Sequence, residues 1–337
     1  MTRSRKVLIS VLLIAVVAAG ILFFFFRASA VPDTARMLPE GDFILYANLK
    51  PVHLFWQANK PVEIEGDYRD FINQTGIDFE RDLDEVAMSR RDTPDHHDTE
   101  SAEIFVGRFD QPRLIKYLAK LSSAQESYSN HKIFIIAHEG HTVRVTLLDA
   151  NRIAVTNMIS PEVMHQIIDA SQKLAAGPSL LQNYHQNVPM GSLAWAVVRV
   201  GPNPGNQPSS GWSFDFLENT VTVASIRYKG DLLVRADVIA GSENEAKQVV
   251  DAAAGFVSMY RTVARSIGTK GSDPDVKAAI DSIAVQQKEN IATFSATLPQ
   301  RALKKLFSEA QSQAAPGATS SVTPTAVPTP LPGKRRR

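Results

Sequence analysis

The chain contains no cysteine. That absence removes disulfides, thiolate metal sites, a cysteine nucleophile and a lipidated N-terminal cysteine together. A surplus of one charge is also missing: 36 Lys and Arg stand against 35 Asp and Glu, a formal net charge of +1. No global field therefore draws in nucleic acid or an acidic ligand. Absent too are a Gly-x-Ser-x-Gly elbow for a nucleophilic serine, a Gly-x-Gly-x-x-Gly turn and a Gly-Lys-Ser/Thr phosphate loop. No catalytic or cofactor-binding residue is assigned from sequence, although triads and carboxylate pairs can assemble from distant positions.

What the sequence does hold is one long apolar run. Residues 7–26 carry no ionisable group and end in four phenylalanines. At about 1.5 Å per residue the run covers roughly 30 Å, the hydrocarbon thickness of a bilayer. It predicts a single transmembrane helix. Arg3, Arg5 and Lys6 precede it and only Arg27 follows closely, which places residues 1–6 in the cytoplasm and the body outside the inner membrane. Ala28-Ser29-Ala30 matches a signal-cleavage site, but the run exceeds the usual signal core of about 7–15 residues, so a retained anchor is expected.

Past a linker at 27–36, Met37-Leu38-Pro39-Glu40-Gly41 opens onto an apolar strand, Asp42 to Leu49, closed by Pro51. A similar stretch recurs downstream: Pro39 matches Pro189, Gly41 matches Gly191, Phe43 matches Leu193 and Leu45 matches Trp195, all at one offset. The run Ile104-Phe105-Val106 into Leu114–Leu118 resembles Thr293-Phe294-Ser295 into Leu303–Phe307. The helix opening at Ser160-Pro161-Glu162 resembles the one opening at Ser242-Glu243-Asn244-Glu245. These matches suggest two related halves, 37–178 and 179–313, although the units come in a different order in each.

Between the markers, residues 54–75 and 78–88 read as helices. Lys132–Ile136 and Thr142–Leu147 read as a hairpin with Ile153–Val155 as a third strand, and Val221–Tyr228 with Leu232–Ile239 as a second hairpin. Helices are expected at 243–266 and 274–288, the latter begun by Pro274. The fold class is α+β: an N-terminal transmembrane helix, then antiparallel sheets each covered on one face by helices. Residues 201–211 read as a Pro- and Gly-rich loop. From 314 to 337 the Ala, Ser, Thr and Pro content, ending in Lys334-Arg335-Arg336-Arg337, predicts a disordered tail.

The densest set of potential ligands is Asp95, His96, His97 and Asp98. Imidazole nitrogens among carboxylates suit zinc or manganese, but a solvated surface loop fits the same composition. His138 and His141 straddle a tight turn beside Glu139, where cross-strand side chains approach each other, without the spacing of any helical zinc site. Leu54-Phe55-Trp56, Tyr68, Phe71 and Trp195 read as core aromatics or as an apolar ligand surface.

Leu38-Pro39-Glu40-Gly41 leading into Phe43-Ile44-Leu45-Tyr46-Ala47-Asn48, behind one membrane helix, resembles uncharacterised single-pass bacterial envelope proteins. The resemblance implies an extracytoplasmic α+β region and transfers no functional residue, because that group has no assigned chemistry. The expected function is a membrane-anchored binding or scaffolding protein whose partner is an envelope protein or polymer. The alternative is a membrane-tethered, metal-dependent hydrolase using the His-rich loop.

Overall fold

The computed structural model describes residues 31–51, 53, 66–92, 99–138, 140–173, 175–201, 218–266 and 274–301. The expected membrane helix at 7–26, the 54–65 part of the first expected helix, the 202–211 part of the loop and the tail at 314–337 lie outside these residues. Among the described residues no helix is long and apolar enough to cross a membrane.

The strands in chain order are β1 (Phe43–Asn48), β2 (Leu83–Asp92), β3 (Thr99–Gly107), β4 (Ala124–Tyr128), β5 (His131–His138), β6 (His141–Leu147), β7 (Arg152–Thr156), β8 (Ala194–Val200), β9 (Thr220–Lys229), β10 (Asp231–Ile239), β11 (Ala284–Lys288) and β12 (Ile291–Leu298). All twelve join one sheet, in the order β11-β12-β10-β9-β8-β1-β2-β3-β7-β6-β5-β4. Every pairing is antiparallel. The separate sheets expected from sequence are therefore one. The reason is the ladder between β1 and β8, where Phe43 faces Val198 and Tyr46 faces Trp195. Strands 150 residues apart in sequence pair edge to edge there, and no local pattern announces it.

The helices are α1 (Asp33–Arg36), α2 (Gly66–Thr75), α3 (Phe79–Asp82), α4 (Gln111–Leu121), α5 (Glu162–Gln172), α6 (Ser179–Tyr184), α7 (Glu243–Ser266) and α8 (Pro274–Asp281). Their ends follow from local chemistry. Asp110 accepts a hydrogen bond from the Arg113 amide at 3.2 Å and Pro112 fills the first turn of α4, leaving Leu114 and Leu118 one turn apart on its buried side. At α7 the hydroxyl of Ser242 accepts from the Glu245 amide at 3.3 Å, and the Glu245 carboxylate accepts from the Gly241 amide at 3.0 Å. This is a reciprocal cap with its return bond displaced by one residue.

Side-chain alternation sorts the sheet into two faces. On the first, Ile44, Tyr46, Ala87, Ile104, Trp195 and Val197 lie in one buried cluster with Ala35 and Leu38 near α1, Ile167 and Ile168 of α5, and Leu180 and Leu181 of α6. On the second, Phe134, Val145 and Ile153 pack under Leu114 and Leu118 of α4, with Phe71 of α2 beside them. Val238 and Ala292 pack under Val249 of α7. The β5–β7 region is thus covered on both faces, not on one as the sequence suggested.

Three expectations give way. Residues 83–88 are strand rather than helix: Leu83, Glu85, Ala87 and Met88 are good helix formers, but β2 sits between β1 and β3 and satisfies its backbone in two ladders. The helix begun by Pro274 stops at Asp281, because Ala284–Lys288 pairs with β12 as an edge strand. Third, the matching offset of the two halves is even (189 − 39 = 150), which would align Leu45 with Trp195. Leu45 opposes Ala196, and Trp195 opposes Tyr46 from the other face, so an even offset reverses every side chain. The matched glycines also differ: a Cβ on Gly41 would lie 2.7 Å from the Arg90 carbonyl oxygen, whereas Gly191 has φ +74 and open space around it.

On each side of the β1–β8 ladder, three consecutive strands lead to a helical excursion on the second face, and the chain then returns beside the third strand. In connection order α4 corresponds to α7. The short sequence matches instead paired α5 with α7.

At Gly107 a Cβ would stand 2.2 Å from the Asp82 carbonyl oxygen and 3.1 Å from the Phe109 ring. Backbone cannot yield there as a flexible side chain would. Gly107→Ala is expected to cost about 2–3 kcal/mol by overpacking, read as a lower urea midpoint with an unchanged slope; an unshifted midpoint would contradict this close approach.

Candidate functional site

Asp95, His96, His97 and Asp98 lie outside the described residues, as does Glu139. His138 and His141 are described and face each other directly across the end of the β5–β6 hairpin, both exposed. Among the described residues no three metal-ligating side chains converge. The feature that stands out lies elsewhere, in the middle of the sheet.

The central strands are apolar on both sides, yet only one side is buried. In β1, Ile44 and Tyr46 are 0% and 7% exposed, while Phe43, Leu45 and Ala47 remain partly open. In β8, Trp195 and Val197 are buried and Ala194, Ala196 and Val198 are partly open. In β9, Ile226 is 36% exposed. The registers align these open positions across five strands: Met88, Leu45, Ala196, Ala224 and Ala236 form one row, and Val86, Ala47, Ala194, Ile226 and Val234 the next. None of these ten residues belongs to the hydrophobic clusters of the described residues.

The result is a shallow apolar floor on the second face. From β2 to β10 it spans about 19 Å at about 4.8 Å per strand, and three alternate residues along β1 add about 14 Å, an area on the order of 300 Å². Its shoulders are helical. On one side stand α2 and α4 over β5–β7, with Tyr68, Phe71 and Phe79 stacked at ring separations of 5.2–6.3 Å and Tyr117 edge-on to Phe71 at 5.7 Å. On the other stand α7 and α8 over β11 and β12.

Polar groups are sparse on the floor. Thr222 has a buried hydroxyl without a partner. Glu103 adjoins Met88 at the β2–β3 boundary; burial pushes its carboxyl pKa up, opposed by the Ser101 hydroxyl that donates to it at 2.8 Å. Arg90 continues the Val86–Met88 line to the rim, where it pairs with Asp92 at 3.0 Å.

No family model matches the chain, and no curated protein is similar to it in sequence. Similar solved structures include crystal forms of TP0453. Form III superposes with a TM-score of 0.43 at 10% identity, over 83% of this chain and 99% of that one. Form I gives 0.41 at 8% identity, over 83% and 98%. Similarity at this level transfers neither a site nor an activity.

Beneath the floor, the opposite face is locked. Tyr46 stacks on Trp195 at 5.7 Å and His185 meets Trp195 edge-on at 5.5 Å. Burial, reinforced by Glu85, drives the Tyr46 phenol far above its ordinary pKa, so it serves as a hydrogen-bond donor to that carboxylate and not as a base. Glu85 also accepts from the Thr34 hydroxyl at 3.1 Å, tying α1 to the sheet. At the sheet's edge, His165 of α5 sits between Glu126 of β4 at 2.6 Å and Glu162 at 3.3 Å. Its ring stacks on Tyr128 at 3.9 Å, and the Tyr128 hydroxyl donates to Asp169 at 3.1 Å. These contacts fasten the edge strand β4 to α5. They are brought together by folding, and sequence reasoning had no signal for them.

Burial, with the nearby Arg36 charge, holds His185 below its ordinary pKa of 6.5. The unfolded imidazole takes a proton that the folded one refuses, so stability is present above about pH 6.5 and declines as pH falls toward the depressed folded value. His185→Phe is expected to flatten that decline, measured as urea midpoints from about pH 7.5 down to about pH 5.5. Parallel curves for the two proteins would show that His185 is not its source.

Proposed function

We propose that the protein is a membrane-anchored, extracytoplasmic binding protein of a bacterial envelope, holding an apolar partner on the open face of its sheet. The observation that carries this reading is the floor: five adjacent strands in the centre of a twelve-stranded sheet leave apolar side chains partly open on one face while their alternates are buried on the other. The largest contiguous apolar patch on a folded body is commonly of about this size and is often functional. The anchor and orientation rest on residues 7–26 and their basic flank.

A photoreactive amino acid placed at Ile226 in the full chain, expressed in cells, is expected to give an adduct. The same residue at Lys173, which is exposed at the end of α5, should give none. Absence of any adduct at 226, or equal adducts at both positions, would remove the binding reading. Digestion of the body by protease added outside spheroplasts is expected; protection until lysis would reverse the orientation.

A further inference from the structure

The geometry points to an anionic phospholipid as the occupant of the open floor, its acyl chains laid across β1, β8 and β9 and its phosphate at Arg90. This inference rests on the binding reading above and adds the chemistry of the cargo.

Three features of the floor select it. The first is the lack of hydrogen-bonding groups: along the two central rows every side chain is Ala, Leu, Ile, Val or Met. A peptide strand would bring amides and carbonyls that this surface cannot satisfy. Acyl chains bring none.

The second is size. A standard protein interface takes about 800 Å² from each partner, whereas the floor offers on the order of 300 Å² between helical shoulders. A second copy of the chain or another folded domain seated on it would gain too little area. An acyl chain spans half a bilayer core, about 15 Å, which fits within the floor. Ala47, Ala194, Ala196, Ala224 and Ala236 keep the surface smooth where the chains would lie.

The third is charge. Val86, Met88 and Arg90 share one face of β2, so the apolar line runs directly into a guanidinium at the rim. The side chains of Arg90 and Asp92 are 49% and 62% exposed. An ion pair so open to water is weak and exchangeable. A guanidinium binds phosphate with two parallel hydrogen bonds, so a phosphate can displace the Asp92 carboxylate. At the opposite end of the floor Lys50 faces two carboxylates, Asp84 and Glu85, each at 3.9 Å, whose joint negative charge opposes an added anion, whereas Arg90 faces the one carboxylate of Asp92.

The test uses the full chain held in an amphipathic polymer, titrated with fluorescently labelled phosphatidylglycerol and, separately, with phosphatidylcholine of the same chains. Saturable one-to-one binding of both is expected, with phosphatidylglycerol preferred several-fold. Ala224→Phe, which fills the floor, should weaken both lipids at least tenfold; Ile226→Asp, at an exposed position, should do the same without risk to the core. Arg90→Gln should abolish the preference for phosphatidylglycerol and leave phosphatidylcholine unchanged. Far-ultraviolet circular dichroism confirms that each variant is folded.

No saturable binding would overturn the proposal. So would lipid affinity unaltered by both floor substitutions, which would put the lipid on the anchor. A preference that survives Arg90→Gln would overturn the headgroup assignment. If the photoreactive residue at 226 captures a protein while neither lipid binds, the lipid is wrong and the binding reading stands; if both fail, the binding reading fails with it.

Discussion

The structure depends on one ladder. Where β1 meets β8, five pairs of residues join strands from distant parts of the chain into a single sheet. That pairing fixes parity as well as connectivity. Ile44 opposes Val197 and Tyr46 opposes Trp195, so these four side chains fall on the same face and form the middle of the main core. A slip of one residue would carry Trp195 to the other face and place Ala196 in the core.

With parity set, the helices divide the two faces unequally. On the first face α1, α5 and α6 lie over the centre, and their side chains close it. On the second, both excursions leave the third strand of their respective runs, β3 and β10, and settle outward over β5–β7 and over β11–β12. Because each helix follows a strand already removed from the β1–β8 ladder, neither reaches back to cover it. Among the described residues, the partly open floor is thus a consequence of connection order.

Sequence patterns made the local elements legible and left the global ones hidden. The β5–β6 and β9–β10 hairpins were readable because a short turn with Gly140 or Gly230 sits between two apolar alternations, and both glycines have positive φ. The start of α7 was readable from Ser242 and Glu245. By contrast, β2 and β11 are strands only because neighbours supply their hydrogen bonds; Ala284-Val285-Gln286-Gln287-Lys288 has no strand signal strong enough to oppose the helix begun at Pro274. The floor was hidden for another reason. One-face cover was expected of each sheet, but a strand apolar at every position, such as Phe43-Ile44-Leu45-Tyr46-Ala47, does not say which face that is; the placement of distant helices decides it. The histidines drew notice through composition alone, whereas the His165 contacts with Glu126 and Glu162 join residues up to 39 positions apart.

The contrast between the faces is also energetic. Near β10 the first face carries a buried carboxylate, Asp237, 4% exposed, which accepts from Arg235 at 3.0 Å and from the Thr293 hydroxyl at 2.7 Å. A carboxylate so paired fixes side-chain geometry, as Glu85 does with Tyr46 and Thr34. The second face has no comparable fastening at its centre among the described residues. Leaving these side chains partly in water forgoes hydrophobic stabilisation of about 25 cal/mol for each Å² left unburied. Random substitution at Leu45, Val198 or Ile226 toward polar residues would have little folding cost to oppose it, since these side chains are already partly open to water. Apolar side chains across five strands, at positions where folding gains so little from them, are what the proposed binding role accounts for and folding alone does not.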